Sequence, residues 1–432
     1  MDKPVYFIDR AMKKLLQINP VLRTSTSTGR IMQEIGDLAM ANGWESYVAY
    51  SRGRDGIRPC TSRLLPVGNK ASVAWHGLMT RLFDRHGLSS AHATQTFLRQ
   101  VDALQPDVIH IHNLHGYFLH YPLLFRYLSS HNIPVIWTVH DCWLYTGHCY
   151  YYSAAGCQRW QSGCGDCPQR REFPASWLVD RSRRNYIDKE KAFTSLPKGL
   201  LTLVPVSEWM AGEMNRSFLS GCDIRVIHNG IDTDTFSPQD GSALLARYGL
   251  EGKHILLGVA SIWSREKGLD DFLRLSTMLT PDECIVLVGV DVHTAKRLPA
   301  NIIPIRRTEN VRQLAQLYSV ATAFVNPTWQ DNYPTVNLES ISCGTPVVTY
   351  RTGGSPESVT TQTGMVVSQG DVDALLRSVR QIEHLGKESF VGPCRQYALQ
   401  HFRKEDRYKD YLCLYDEVMQ KARYSQHISF SR

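Results

Sequence analysis

The chain reads as an α/β protein built from two doubly wound parallel sheets. Three observations carry that expectation. Short apolar strands alternate with amphipathic helices through both halves, the pattern of sheets whose strands are joined by helical crossovers. The 432 residues exceed the size, about 250–300 residues, at which a single core stops growing. Glycines and helix starts follow the strand ends, where open parallel sheets carry their ligands.

In the first half, 15–18 is a strand, 30–42 a helix, and 47–50, 108–111 and 135–138 are further strands. In the second half the strands fall at 254–260, 284–290, 323–326 and 347–350. A last helix near 405–423 places Tyr408, Tyr411, Leu412, Tyr415, Val418 and Met419 on one face, an apolar stripe that must find a partner. The expected division is 1–205, 206–404 and 405–432. The chain crosses near Pro205-Val206-Ser207 or Asn229-Gly230, where turn chemistry interrupts the strands.

The 43% hydrophobic and 21% charged content is ordinary for a globular protein. There is neither an apolar run of about 18 residues nor a signal-peptide pattern, so a cytoplasmic protein is expected. The net charge of +7 is uneven: residues 1–200 carry 24 Lys+Arg against 15 Asp+Glu, residues 201–432 carry 24 against 26. A basic first half suits an anionic membrane surface or nucleic acid, although a scattered solvated surface gives the same count. The densest basic run, Arg170 to Lys198, is not read as a single-strand-binding surface of regularly alternating cations and stacking aromatics, so no nucleic-acid partner is expected. Trp75, Leu78, Met79, Leu82 and Phe83 recur at helical spacing. They form either core or a face that dips into a membrane interface.

The stretch Asp331-Asn332-Tyr333-Pro334-Thr335-Val336-Asn337-Leu338-Glu339 carries the chemistry. A strand ends near Pro327, and Pro334 opens a helix at its first turn, which leaves Asp331 in the loop. Glu339 lies five residues beyond Pro334, about 7–8 Å further along the axis. Two acceptors so placed hold two parts of one ligand, and the free N–H groups between them suit a diphosphate. An Asp cap with a solvated Glu is the bland alternative. The continuation adds a helix-ending glycine, Gly344, a β-branched strand, and the pair Gly353-Gly354, where backbone is expected to approach a ligand.

Together these residues resemble the C-terminal half of retaining GT-B glycosyltransferases of family 4, whose Glu-x7-Glu pair binds the donor. Asp331 is the shorter first member here, assigned to the donor sugar, and Glu339 is assigned to the ribose hydroxyls. The resemblance implies two Rossmann-like domains facing across a cleft, with the last helix crossing back to the first. It also implies a Gly-rich loop at Thr26-Ser27-Thr28-Gly29-Arg30, so Gly29 becomes a donor-binding candidate. His140, just past the strand at 135–138, is carried over as the histidine that orients the donor sugar. One of His110 and His112, which share a face of the preceding strand, reads as a satisfied core histidine.

Lys267 opens a helix near Leu269 and is placed to meet departing phosphate. The family's arginine five residues earlier is Ile262 here, so Arg265 is the candidate for the second charge. Asn332, Tyr333, Pro334 and the segment 303–306, with Ile305, are expected to touch sugar and base. His228-Asn229-Gly230-Ile231-Asp232 resembles the family's passage into the second domain. Asp232-Thr233-Asp234 is therefore read as a turn and not as a metal-binding Asp-x-Asp.

Five of the 11 cysteines fall between 142 and 167. Cys149-x7-Cys157-x6-Cys164-x2-Cys167 has the order of a tetrahedral thiolate site. Structural zinc, unligated thiols and disulfides stand as the three readings, with disulfides unusual in a reducing cytoplasm. The surrounding words resemble the branch of family 4 that contains colanic acid glycosyltransferases.

The implied reaction moves a sugar from a nucleoside diphosphate donor to a hydroxyl of a lipid-diphosphate-linked oligosaccharide in bacterial polysaccharide assembly. Configuration is retained, and no catalytic metal is required. The other readings are a nucleotide-sugar epimerase of the same architecture, a zinc-knuckle nucleic-acid binder, and a degenerate scaffold.

Overall fold

A computed structural model of the chain describes residues 12–23, 26–53 and 60–430, with side chains to residue 424. Seven strands form the first sheet: β1 (Lys13–Ile18), β2 (Trp44–Tyr50), β3 (Arg63–Pro66), β4 (Val108–Ile111), β5 (Val135–Val139), β6 (Leu201–Pro205) and β7 (Asp223–Ile224). Six form the second: β8 (His254–Val259), β9 (Glu283–Val288), β10 (Ile302–Ile305), β11 (Ala323–Asn326), β12 (Val347–Tyr350) and β13 (Gly364–Val367). The spatial orders are β3-β2-β1-β4-β5-β6-β7 and β10-β9-β8-β11-β12-β13, and adjacent strands pair in parallel. Both sheets are thus doubly wound, as expected, and their strand order reverses at β1/β4 and at β8/β11. A crevice opens at such a point beyond the carboxyl ends.

The strands absent from the sequence reading are mostly edges. β3, β7, β10 and β13 end their sheets, where one side of the ladder is unpaired and burial is incomplete, so apolar runs are short. Pro304 lies inside β10 opposite Leu287; an edge tolerates the missing donor. The helix Glu208–Asn215 and β7 follow β6 within the first sheet. The chain therefore leaves that sheet later than residue 205, close to Asn229-Gly230.

The final helix, Lys404–Phe430, returns to the first sheet. Tyr408, Tyr411, Leu414, Tyr415, Val418 and Met419 join Leu15, Ile31, Ile35, Val108 and Val204 in one buried cluster. Leu412 only flanks it. Each fully buried side chain of this size stabilises by about 1.5–3 kcal/mol. At the crossing, Ile231 N–H donates to the Phe402 carbonyl (2.8 Å) and Lys404 N–H to the Ile231 carbonyl (3.0 Å). Asp232 caps Thr235 N–H (2.8 Å) and pairs with Lys404 (2.7 Å). These bonds account for Asp232-Thr233-Asp234 as a turn.

No helix among the described residues is long and apolar enough to cross a membrane. In the helix Lys70–Phe83, Trp75, Leu78 and Phe83 are exposed rather than core.

Candidate active site between the two sheets

The sequence-expected residues come from both walls of the crevice. On the second-domain wall, β8 leads to a loop in which Gly268 (φ +78°) caps the helix Leu269–Ser276. A Cβ there would stand 2.3 Å from the Pro327 carbonyl oxygen, so the absence of a side chain lets this loop lie against the end of β11. Close approach brings Lys267 Nζ within 2.8 Å of Asp331 Oδ2. The lysine side chain is 42% exposed and the carboxylate 16%, which leaves the cation open to a ligand. Arg265 is exposed on the same loop, and Ile262 is 76% exposed.

Pro334 precedes the helix Thr335–Ser342, whose N-terminus has no side-chain cap. Asn337 N–H turns back to the Pro334 carbonyl (3.1 Å), and the N–H groups ahead of it are the orphan donors at which a helix end meets an anion. Glu339 lies in that helix, its side chain 7% exposed, accepting from Tyr318 OH (3.1 Å) with Arg30 at 3.9 Å. Burial pushes its carboxyl up to about 7 despite Arg30 and Tyr318. Arg30 opens the helix Ser27–Ala41 after β1, so a first-domain cation reaches the second-domain carboxylate.

The glycine pair corrects an expectation. A Cβ on Gly353 would sit 1.9 Å from the Asp331 carbonyl oxygen, and one on Gly354 1.9 Å from that of Asn332. The pair therefore admits the Asp331-Asn332 loop itself. The turn is tied down by Asn337, which donates to Ser355 Oγ and Ser358 Oγ (both 3.1 Å) and accepts from Asn326 (2.9 Å).

On the first-domain wall, His140 follows β5. Its Nε2 is 3.3 Å from His112 Nδ1, and His112 Nε2 is 3.0 Å from Gln17 Oε1. Burial lowers His140 to about 4, with Asp141 pulling the other way, so the ring is neutral at pH 7. His110 and His112 are both fully buried. His110 is satisfied by Tyr415 OH (2.6 Å) and Thr138 Oγ1 (2.7 Å), which ties the last helix to the floor of the site. The imidazole of His115 lies 2.6 Å from Asp141. Burial raises the Asp141 carboxyl, and His115 with the Trp143 N–H brings it below the usual range. His112, His115, His140, Asp141 and Trp143 border one pocket on this wall.

The walls meet at Asn332, whose Nδ2 donates to the His140 carbonyl at 2.7 Å. Its Oδ1 is buried without a protein partner. Glu357 adds a second clasp by accepting from Glu208 N–H (2.8 Å) and Trp209 N–H (2.7 Å), the first turn of a first-domain helix.

Other expected contacts change character. Ile305 is 4% exposed in β10, its carbonyl occupied by Gly289 N–H (2.8 Å). Its side chain belongs to the core of the second sheet. Tyr333 is buried against His228, ring centroids 4.7 Å apart, and shapes the loop from beneath. Gly29 is a helix residue whose N–H binds Thr26 Oγ1 (3.3 Å). A Cβ there would meet the Arg23 carbonyl oxygen at 2.2 Å, so it governs loop closure. Arg30, His115 and Asp141 were not singled out from sequence. Arg30 borders Gly29 and Asp141 borders His140; His115 gives no local signal.

Cys149, Cys157, Cys164 and Cys167 line a separate cavity and are free thiols. As they stand, no three histidine, cysteine or acidic side chains among the described residues form a metal-holding group.

Comparison with known proteins accounts for this arrangement. Residues 29–235 match the model "Glycosyltransferase Family 4" and residues 253–384 match "Glycosyl transferases group 1". The Escherichia coli (strain K12) protein WcaC, named as a colanic acid biosynthesis glycosyl transferase, is 24% identical over 380 residues, 84% of this chain and 89% of that protein. Sucrose-phosphate synthase from Thermosynechococcus elongatus superposes with a TM-score of 0.68 at 15% identity, over 95% of this chain and 100% of that one. Anabaena HepE in complex with UDP-glucose gives 0.66 at 13% identity, over 94% and 99%. Two doubly wound sheets, their facing site and the two family matches lead to one assignment: the chain belongs to the family 4, group 1 glycosyltransferases and has their GT-B fold.

Proposed function

We propose that this glycosyltransferase moves a sugar from a UDP- or GDP-sugar to a hydroxyl of a lipid-diphosphate-linked oligosaccharide in bacterial surface polysaccharide assembly, with retention and without a catalytic metal. The observation that carries the reading is the set Lys267, Asp331, Asn332 and the uncapped helix N-terminus facing His140, with Glu339 beyond. A diphosphate across the helix end meets Lys267, with Arg265 as the second cation. The sugar then lies between Asp331, Asn332 and neutral His140, and the ribose reaches Glu339. Charge that develops on the departing diphosphate is met by preorganised donors, which supports chemistry without a metal. The UDP-glucose complex of HepE and the naming of WcaC for colanic acid favour this donor class and pathway.

A thermal-shift panel of UDP- and GDP-sugars with EDTA present tests it, because a ligand that binds only the folded state raises its melting temperature. One nucleotide sugar should shift the wild type and not Glu339→Ala. No shift with any of them overturns the proposal.

The lipid-linked acceptor is supported by the exposed face of Trp75, Leu78 and Phe83, continued by Trp177 and Leu178. Trp177 N–H donates to the Arg81 carbonyl (2.6 Å), and the Arg81 guanidinium lies 6.0 Å from the Trp177 ring centre. Aromatic and aliphatic side chains beside arginines suit an anionic interface. The wild type should float with phosphatidylglycerol-containing liposomes at low salt, and the Trp75→Asp/Trp177→Asp variant should stay at the bottom. Equal behaviour of the two removes this surface from the reading.

A further inference from the structure

The insertion between β5 and the helix Ser182–Phe193 is built unlike the rest of the chain. From Tyr145 to Arg181 its regular structure is a single three-residue turn of 3-10 helix, Arg159–Gln161. So little backbone hydrogen bonding holds a segment poorly unless side chains or a metal tie it. Part of the tie is polar. Lys189, 1% exposed, donates to the Trp143 carbonyl (2.6 Å) and the Thr146 carbonyl (2.8 Å).

The remainder surrounds one pocket, bordered by all four of Cys149, Cys157, Cys164 and Cys167 and by His148 and Trp160. Three features around it point to a ligand. The Gly147 N–H donates to Cys164 Sγ (3.1 Å), the kind of bond that steadies a thiolate. The Cys164-x2-Cys167 turn and the residue before it carry positive φ at Gly163, Gly165 and Asp166 (133°, 158° and 44°), and both of its thiols border the pocket. His148 is 2% exposed; its Nδ1 is held 2.7 Å from buried Asp84, and its Nε2 has no partner. A buried ring oriented by a carboxylate, with its other nitrogen at a thiol-lined cavity, resembles the outer shell of a metal site.

We propose that Cys149, Cys157, Cys164 and Cys167 bind one structural zinc ion as four thiolates, with His148 Nε2–H donating to a zinc-bound sulfur. As placed, the thiols share a cavity but not a coordination sphere, so the proposal requires their side chains to turn inward about Cα–Cβ. Binding forms four Zn–S bonds and releases four thiol protons to solvent. No redox change is involved, and four sulfurs leave no open position for a catalytic water. The site lies behind the cleft: Cys142 N–H donates to the Tyr150 carbonyl (2.9 Å), joining the insertion to the loop that carries His140 and Asp141. Zinc thereby braces the first-domain wall. This inference does not depend on the donor or acceptor named above.

Elemental analysis of the full chain, purified from zinc-supplemented cells and exchanged into chelator-free buffer, tests the proposal. About one zinc per chain is expected, retained in Cys60→Ser and Cys413→Ser and lost in Cys164→Ser/Cys167→Ser. If the double variant does not fold, stripping wild type with a strong chelator should lower its melting temperature by roughly 5 °C or more, and added zinc should restore it. A folded wild type without stoichiometric zinc overturns the proposal. So does an intact mass two or four daltons low, which would show disulfides, or zinc retained in a folded double variant.

Discussion

Replacing Lys267 by alanine is expected to lower kcat by about 10²–10³, with a much smaller change in KM for the donor. Without a ligand the ammonium is occupied by Asp331 at 2.8 Å. A bound diphosphate shares that charge, and the leaving diphosphate, which gains charge as the glycosidic bond breaks, draws on it most strongly. An interaction that grows toward the transition state appears in kcat rather than in binding. The loss corresponds to about 3–4 kcal/mol of barrier. Lys267→Arg should recover part of the rate, because the charge remains while its position shifts. Steady-state kinetics on the donor found by thermal shift would decide it. A Lys267→Ala enzyme with unchanged kcat would mean that the helix N-terminus and Arg265 carry the diphosphate alone.

Glu339→Ala is expected to weaken donor binding by about 10²-fold, in line with roughly 1.5–3 kcal/mol for each hydrogen bond to a charged group. The pH dependence is more specific. Burial holds the Glu339 carboxyl near 7, against a reference of 4.5. Ribose hydroxyls donate to the ionised form, so wild-type affinity should rise from pH 6 to pH 8, up to about tenfold per unit below 7. Stability should move the opposite way. A carboxyl whose folded pKa is raised contributes stability below its unfolded pKa and loses it as pH rises through the folded one. The window is pH 4.5 to about 7. Glu339→Gln should flatten that slope and melt higher than wild type at pH 8. Titration calorimetry at three pH values and melting curves across the window check both signs. A wild-type affinity that does not vary with pH would place the ribose elsewhere.

Much of the fold was legible because it is written at short range. The interior strands Val108–Ile111, Ala323–Asn326 and Val347–Tyr350 are mainly apolar, fully buried runs, and their ends coincide with the expected ones. The edge strands were not legible, since half-exposed runs such as Arg63–Pro66 carry no clear period. In the site, the spacing of Asp331, Pro334 and Glu339 placed a loop acid, a helix start and an acid in the second turn. That geometry depends only on helical rise. Local spacing did not foretell that Ile305 is buried in the core, because an edge strand with an interrupted period does not announce which way it turns its side chains.

The sequence by itself determined two doubly wound sheets, an apolar helix that needed a partner, and the spacing of two acids and a cation along one wall. Tertiary structure alone decided what these groups touch. Lys267 pairs with Asp331, Arg30 approaches Glu339, and Asn332 closes on the His140 carbonyl. Gly353 and Gly354 make room for the chain's own loop instead of a ligand. The reason is range: propensity and periodicity act over a few residues, whereas these contacts join segments tens to hundreds of residues apart and exist only once both sheets are folded and facing.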